Sequence, residues 1–440
     1  MHLVNLTTAG TKRVFVLIIA TLFYSFSFAQ ENSPYTRYGL GDVVPAQNMV
    51  NRAMGGISAG YADYFSLNFV NPASLGTVRK AIFDVGGEVD RRTLKSNISP
   101  DKYTATNTLI SYLQFGVPIA SRKMIEKGTS WGVSFGIKPI TRVNYKIEER
   151  SRLNGIDSIE TSYEGTGGLN QAMLSTGIKI KNFSFGITAG YSFGTRDYST
   201  RLNFVNDSVI YYKSNSEVKS TFNGPSIAGG MQYDIKTKSG IVKLGAYANL
   251  SQKMSARESI INETFNFDGN GGIVTIDTVS FVQGEKGKVV YPSTYGVGFT
   301  NVTKNWLYGA DFELTNWDSY RYFETKDFVK NSWRVKTGFQ YIPLKEGSSR
   351  RYLNVVQYRA GAYAGSDLID IQDSKRLEYG VTLGAGLPLT TQRFDFAILN
   401  LGAEFAARGN KESKSIRENI MRFSLGISIN ATWFQKRKYD

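Results

Sequence analysis

Five charged side chains are the residues best spaced for chemistry. Asp311 and Glu313 stand two positions apart, and so do Arg334 and Lys336, while Arg422 lies near the C-terminus. Two nearby carboxylates could share the acid and base roles of glycoside hydrolysis. The three cations could bind an anionic substrate such as a fatty-acid carboxylate. A spacing of two places both members of a pair on one face of a strand, so their role depends on what that face adjoins.

The rest of the chain offers few reactive groups. Among 440 residues there is no cysteine and a single histidine, His2. His2 lies in the signal peptide predicted below, so the mature chain is expected to have neither residue. This excludes disulfides, thiol nucleophiles, zinc sites built on Cys or His, and catalytic triads with an imidazole base. An enzyme would have only carboxylates to work with, and Asp311 and Glu313 are equally well explained as lining residues. We therefore expect no enzymatic activity, no cofactor and no metal site.

Residues 1–29 have the pattern of a secretory signal peptide. Lys12 and Arg13 precede an apolar run that ends in small residues at Ala29, which is the order of regions in such a peptide. The alternative is an uncleaved membrane anchor, but the run is shorter than the roughly 20 residues of a spanning helix. Cleavage would also remove His2. The protein is therefore expected to be exported.

From about residue 81 onward the chain alternates apolar and polar residues at the period of a β-strand. In the last such segment, apolar side chains from Met421 to Trp433 interleave completely with polar and small ones from Arg422 to Thr432. This alternation predicts an all-β fold. The predicted strands number fourteen, and they begin near Ala81, Thr104, Thr129, Gly168, Phe183, Thr221, Gly240, Val289, Asn305, Ser332, Asn354, Leu377, Phe394 and Glu418.

The connections between these segments alternate in length. Brief ones such as residues 181–182 alternate with long polar loops predicted around 142–167, 195–220 and 251–288. Short turns on one side and long loops on the other are typical of a transmembrane antiparallel β-barrel in the bacterial cell outer membrane. Two β-sandwich domains would show the same alternation, but aromatic residues near strand ends suit interfacial girdles. We therefore predict a β-barrel over residues 81–440.

In such a barrel the apolar face meets lipid and the other face lines the lumen. The five charged residues fall on the lumen face. Two interpretations stay open: a hydrated lumen in which opposite charges pair, or a basic path for an anionic substrate. The formal net charge of +15 also fits contact with anionic lipopolysaccharide at the outer surface. Apart from this positive charge, nothing in the sequence favours nucleic acid as a partner.

Residues 30–80 precede the first strand and show no sustained period. They are punctuated by glycine and rich in aromatic residues. A hatch or plug segment that enters the lumen fits this length, and the alternative is a flexible periplasmic tail. Within the segment, Asn71, Pro72 and Ala73 form a short motif that would also suit a tight turn before the first strand.

This motif carries a resemblance to a known family. Asn71-Pro72-Ala73, which follows the small-residue stretch 59–63 and precedes fourteen candidate strands, resembles the FadL/TodX family of outer-membrane transporters. The segments 34–41 and 433–438 look like a Bacteroidota branch of that family. The resemblance implies a porin-like barrel with an N-terminal hatch, capture of a hydrophobic molecule at the external loops, a shift of the hatch, and release sideways through the wall.

Two functions follow from this resemblance. The first is a channel for passive uptake of hydrophobic small molecules of the fatty-acid kind. The second is a non-transporting FadL-like subunit that binds a protein partner in an outer-membrane complex, such as the type IX protein secretion system. A channel predicts a contiguous apolar cavity behind the hatch. A scaffold predicts a filled lumen with paired charges and binding confined to the loops.

Overall fold

A computed structural model describes most of the chain, in nine stretches: residues 33–96, 102–153, 156–205, 211–268, 272–344, 351–371, 376–389, 396–409 and 416–431. The signal peptide predicted at residues 1–29 and the closing motif at 433–438 lie outside these stretches.

The described residues form one antiparallel sheet with few helical turns. Short helices span Pro34–Arg37, Met49–Arg52, Pro72–Thr77, Arg122–Glu126, Trp317–Ser319 and Tyr352–Asn354. In the described part of the chain, no helix combines the length and the apolarity needed to cross a bilayer. The strands are β1 (Asp42–Val43), β2 (Ala81–Lys95), β3 (Lys102–Pro118), β4 (Thr129–Leu153), β5 (Ile156–Ile180), β6 (Phe183–Phe204), β7 (Lys213–Lys236), β8 (Gly240–Asn249), β9 (Gln252–Phe267), β10 (Ile273–Tyr291), β11 (Thr294–Thr303), β12 (Trp306–Thr315), β13 (Arg321–Tyr322), β14 (Ser332–Tyr341), β15 (Gln357–Ser366), β16 (Leu377–Leu389), β17 (Phe396–Arg408) and β18 (Arg417–Ala431).

The wall of the barrel has fourteen strands. β8 and β9 both pair with β7 along its length, so together they make one wall strand. For the same reason β10 and β11 make one, because they pair with β9 and β8, and β12 continues into β13. β18 pairs with β2, which joins the first and last wall strands and closes the sheet into a barrel. The predicted number of strands and the all-β barrel are confirmed.

The alternation of the sequence separates the two faces of this wall. In β18, Phe423 and Leu425 are exposed on one face, whereas Arg422, Ser428 and Asn430 on the other face are buried. Apolar side chains that remain exposed on a folded barrel are those that meet lipid, while the buried polar ones line the lumen. The predicted assignment of faces therefore matches the structure.

This assignment gives a measurable expectation for Ile427, which faces outward between Val85 of β2 and Leu399 of β17. We expect Ile427→Arg to lower the free energy of unfolding by about 2–4 kcal/mol, because its charge would face hydrocarbon. Urea unfolding in lipid vesicles measures the loss. The matched control is Thr200→Arg, at an exposed position of β6 beyond the lipid band, the stretch of about eleven residues of each wall strand nearest the short turns. There we expect a change within about 0.5 kcal/mol. Equal losses in both variants would show that Ile427 does not face lipid.

The three long loops predicted from the sequence are wrong. Residues 142–167, 195–220 and 251–288 lie mostly in strands, because β4 with β5, β6 with β7, and β9 with β10 continue as paired hairpins beyond the lipid band. Both faces of such a hairpin meet water, so the apolar alternation stops there while the hydrogen-bonded ladder goes on. The loss of alternation marks the end of the membrane and not the end of the strand.

Residues 33–80, here called the inner segment, lie inside the barrel. Most of their side chains are buried. They contact strands on every side of the wall, including β4, β5, β6, β7, β16, β17 and β18. A segment buried against strands all around a closed wall lies in its lumen.

One seam of the wall is incomplete. β3 and β4 pair only between Leu113 and Pro118 on β3, opposite Ile137 and Gly132 on β4. Beyond this point the described part of β3 pairs only with β2. The edge that β4 leaves open is taken in part by β1 of the inner segment, which pairs with it at Arg142.

Candidate functional site

Asn71 joins the inner segment to the wall. Its Oδ1 accepts a hydrogen bond from the backbone nitrogen of Ala73 at 3.1 Å, which caps the short helix that follows. Its Nδ2 lies 2.7 Å from the carbonyl oxygen of Ala59 and 3.3 Å from the carbonyl oxygens of Met231 in β7 and Ala246 in β8. The predicted motif thus connects two wall strands to the inner segment through one buried amide.

Glycines in the wall allow this close approach. A Cβ atom at Gly186 of β6 would overlap the carbonyl carbon of Pro72 and the backbone nitrogen of Ala73. A Cβ atom at Gly177 of β5 would overlap the carbonyl oxygen of Pro72. Backbone packs directly on backbone here, so a side chain at either glycine would push the inner segment away from the wall.

Asp311 of β12 binds the backbone of the inner segment. Its Oδ2 accepts hydrogen bonds from the backbone nitrogens of Ser58 at 2.5 Å and Ala59 at 2.8 Å. Such bonds to a carboxylate are roughly twice as strong as bonds between neutral groups. On another strand, the hydroxyl of Thr382 accepts from the backbone nitrogen of Gly55 at 2.8 Å. The segment is therefore held by the wall from two directions.

Glu313, Lys336 and Arg334, which were also predicted to line the lumen, form ion pairs between wall strands. Lys336 Nζ lies 2.8 Å from Glu313 Oε2, which also accepts a hydrogen bond from the Tyr247 hydroxyl at 2.5 Å. Arg334 Nη2 lies 2.7 Å from Glu378 Oε2. Both predicted cations therefore already have a carboxylate partner in the protein, and an anionic substrate would have to compete with it.

Arg422 lies in a buried cluster of carboxylates. Its guanidinium is 2.9 Å from Glu404, 3.2 Å from Asp90 and 3.7 Å from Glu88. Arg52 of the inner segment forms a further ion pair with Glu88. This network joins the inner segment to β2, β17 and β18 by buried charges.

A second network surrounds Asp42 of the inner segment. Asp42 is 2.7 Å from Arg408 and 2.6 Å from Arg92, and Arg92 is 3.2 Å from the buried Glu418. The Ser33 hydroxyl donates a hydrogen bond to Glu418 at 2.7 Å. Burial raises the pKa of the Asp42 carboxyl, but the Arg408 and Arg92 guanidiniums more than offset this, and the net pKa lies well below its ordinary value. Asp42 is therefore a charged anchor at neutral pH.

The five predicted charges do not converge on one site. Asp311 and Glu313 share a strand, yet Asp311 binds backbone nitrogens and Glu313 binds Lys336, so they have separate partners. Sequence reasoning missed Asp42 and Glu418. The spacing of charges on the inward face of β2 and β18 could have suggested Glu418, but no pattern marked Asp42.

The cavities beside the inner segment are small and have charged linings. One of about 40 Å³ lies beside Asp42, Arg92 and Arg422, and another of about 40 Å³ lies beside Arg52 and Lys336. A third, of about 160 Å³, has Lys138 and Glu313 among its lining residues. Sites for small molecules usually measure about 300–1,000 Å³ and are mostly apolar. These lumen cavities are smaller and more polar than that.

A larger cavity lies on the outer side of the incomplete seam. It measures about 540 Å³, and Ile110 of β3, Pro139 of β4 and Phe193 of β6 contribute to its lining. Val44 of the inner segment lines both this cavity and the small one inside the wall. The inner segment thus separates an external apolar recess from the charged lumen.

The chain matches one family and a set of solved structures. The family model described as BamG matches residues 11–440, and no curated protein matches the chain. The chain is similar to a Pseudomonas aeruginosa FadL homologue, with 14% identity and a TM-score of 0.55 over 89% of this chain and 99% of that one. It is similar to the Pseudomonas putida toluene transporter TodX, with 14% identity and a TM-score of 0.55 over 90% and 100%. The Ralstonia pickettii toluene transporter TbuX has 13% identity and a TM-score of 0.53 over 88% and 99%.

At these identities the structural likeness concerns the fold. It confirms the FadL-like barrel expected from the Asn-Pro-Ala motif and the strand number, and with it the location in the outer membrane. The assignment to a Bacteroidota branch stays a prediction.

Proposed function

The chain belongs to the BamG family, and we propose that this FadL-like barrel is a non-transporting subunit of a protein complex in the outer membrane. The observation that carries the proposal is the filled lumen, in which buried ion pairs hold the inner segment to the wall. The name of the family also hints at a role in assembly. The toluene transporters share their fold with this chain, but transport of toluene is a property of those proteins.

The ion pairs argue against a hatch that moves during transport. A shift of the inner segment would separate Asp42 from Arg92 and Arg408, and Arg52 from Glu88. Leaving a buried charge without its partner typically costs about 3–5 kcal/mol. A passive channel has only the binding energy of its ligand to drive such a change. Breaking several buried pairs at once would cost more free energy than the binding of a small hydrophobic molecule would supply.

The hairpin of β9 and β10 supports contact with a protein. It stands beyond the lipid band and exposes large apolar side chains to water, with Val279 exposed by 69%. Soluble surfaces rarely keep contiguous apolar patches unless a partner covers them. The exposed large apolar residues on β10 are Ile273, Val274, Ile276, Val279, Phe281 and Val282.

Mild detergent extraction at native expression level, followed by mass spectrometry of everything that co-purifies, tests the proposal. We expect a protein partner in near-equal amount and no stoichiometric hydrocarbon or fatty acid. Replacing both Val279 and Phe281 by Asp should remove that partner and leave the barrel folded. The matched control replaces Thr104 and Thr106 by Asp, because these side chains are exposed on a different hairpin. A monomer that carries a stoichiometric hydrophobic ligand would contradict the proposal.

A second candidate function is a channel for hydrophobic, fatty-acid-like small molecules. The incomplete seam between β3 and β4, with its external cavity of about 540 Å³, favours it, because sideways release needs an opening in the wall. Uptake of a radiolabelled fatty acid by cells with and without the protein distinguishes the two functions. Equal uptake would leave the complex subunit as the better account, whereas uptake that depends on the protein would establish the channel.

A further inference from the structure

In the described part of the wall, the outward face carries a single formal charge in the lipid band. We take the band as the eleven residues of each wall strand nearest the short turns. Among the described outward-facing residues of this band, only Arg91 of β2 is Asp, Glu, Lys or Arg. The inward neighbours Asp90 and Arg92 are buried, which places the side chain of Arg91 on the opposite, lipid-facing side.

Arg91 lies at the outer boundary of the hydrocarbon. It pairs in register with Met421, which is ten residues from Ala431 at the other end of β18. Ten residues of a strand tilted by about 35–45° rise about 25 Å, which is the height of the apolar band of such barrels. The guanidinium is therefore at the level of lipid headgroups.

A groove in the wall begins at Arg91. Its register partners run across the sheet from Met421 to Phe405, Val381 and Ala362 on successive strands. These residues line a cavity of about 700 Å³ that opens toward the membrane. The volume is within the range of about 300–1,000 Å³ typical of ligand sites. The lining is mostly apolar, so the groove suits a hydrocarbon chain.

Among the described residues, none supplies a counterion for Arg91. In the described part of the chain Arg91 forms no ion pair. The nearest carboxylate in sequence, Asp90, faces the lumen and pairs with Arg422 and Arg92. The polar neighbours Thr93 and Asn419 on the outward face are uncharged. A cation at headgroup level beside an apolar groove is complementary to an amphiphile with an anionic head and a hydrocarbon tail.

We propose that this groove binds one outer-leaflet lipid, with an acyl chain along Phe405, Val381 and Met421 and its headgroup phosphate on Arg91. Arginine suits this role because its planar fork can donate two hydrogen bonds to one phosphate. The site lies on the wall, apart from the inner segment, and is independent of the proposed function.

Native mass spectrometry of the detergent-solubilised barrel, titrated with phosphatidylglycerol, tests the site. We expect one tight phosphatidylglycerol per barrel. Arg91→Gln should weaken this binding about tenfold, the loss of one charge-assisted contact of about 1.4 kcal/mol, and Arg91→Lys should weaken it less. Ala407→Trp, which fills the groove, should also weaken it. A neutral diacylglycerol with the same chains should bind the protein and Arg91→Gln alike.

The matched control is Ala189→Trp, another outward-facing alanine on β6, away from the groove. It should leave phosphatidylglycerol binding unchanged. Binding within twofold of the unaltered protein in Arg91→Gln would overturn the proposal. So would an equal effect of Ala189→Trp, or the recovery of a protein cross-linked to the groove in place of lipid. Arg91→Gln retains the β-strand backbone, so the test stands even if Ala407→Trp does not fold.

Discussion

Gly186→Val is expected to convert a closed barrel into a conducting one. The new side chain would occupy the space of Pro72 and Ala73, and backbone atoms on a helix capped by Asn71 cannot give way by changing a rotamer. The inner segment would have to leave the wall at this point, which would open a water path through the lumen. Planar bilayer recordings should show discrete open steps that the unaltered protein lacks.

The matched control for this variant is Gly229→Val on the adjacent strand. Gly229 pairs in register with Ile187, and a Cβ atom there comes no closer than 3.8 Å to another heavy atom. It should fold, and it should remain closed. If the unaltered protein conducts as well as Gly186→Val does, the inner segment is not a plug, and the interpretation of residues 30–80 as a hatch fails.

Arg422→Gln is expected to produce the largest loss of stability. The substitution leaves Glu404, Asp90 and Glu88 buried near one another without their shared cation. Breaking a buried ion pair from one side typically costs about 3–5 kcal/mol, since the remaining charge has neither water nor a partner. Urea unfolding in lipid vesicles should show this decrease in the free energy of unfolding.

Arg150→Gln controls for the loss of an arginine as such. Arg150 also pairs with a glutamate, Glu160 at 2.9 Å, but its side chain is 77% exposed, so we expect a loss of less than about 1 kcal/mol. The double variant with Arg422→Gln and Glu404→Gln should recover part of the stability. Equal losses for Arg422→Gln and Arg150→Gln would show that the lumen is hydrated enough to screen its charges.

The sequence predicted the wall better than the contents of the lumen. Period-two alternation reports which face meets lipid, and this is a local property that any strand such as β18 displays by itself. It therefore gave the number of strands and the inward direction of Arg422. The alternation did not show where the hairpins end beyond the membrane, because a strand with water on both faces has no reason to alternate.

Partner choice across the lumen could not be read from the sequence. Asp42 pairs with Arg408, and Ser33 with Glu418, across more than 360 residues of chain. Nothing local distinguishes a charge with a partner in the inner segment from one in water. For the same reason the sequence did not decide between a hydrated and a filled lumen. In the structure Ser428 is buried, and its hydroxyl accepts a hydrogen bond from the Asn400 amide at 3.1 Å.

The contacts between the two ends of the described chain have a consequence for the order of folding. Ser33 and Tyr35 bind Glu418 and Ile416, which belong to or border the last strand. Contacts between residues so distant in sequence form late, since the loop between them must close first. The inner segment thus reaches its final position only when β18 has arrived and the wall is shut. A nascent barrel would remain open at its β2 and β18 edges, with its lumen charges unpaired, until that last step.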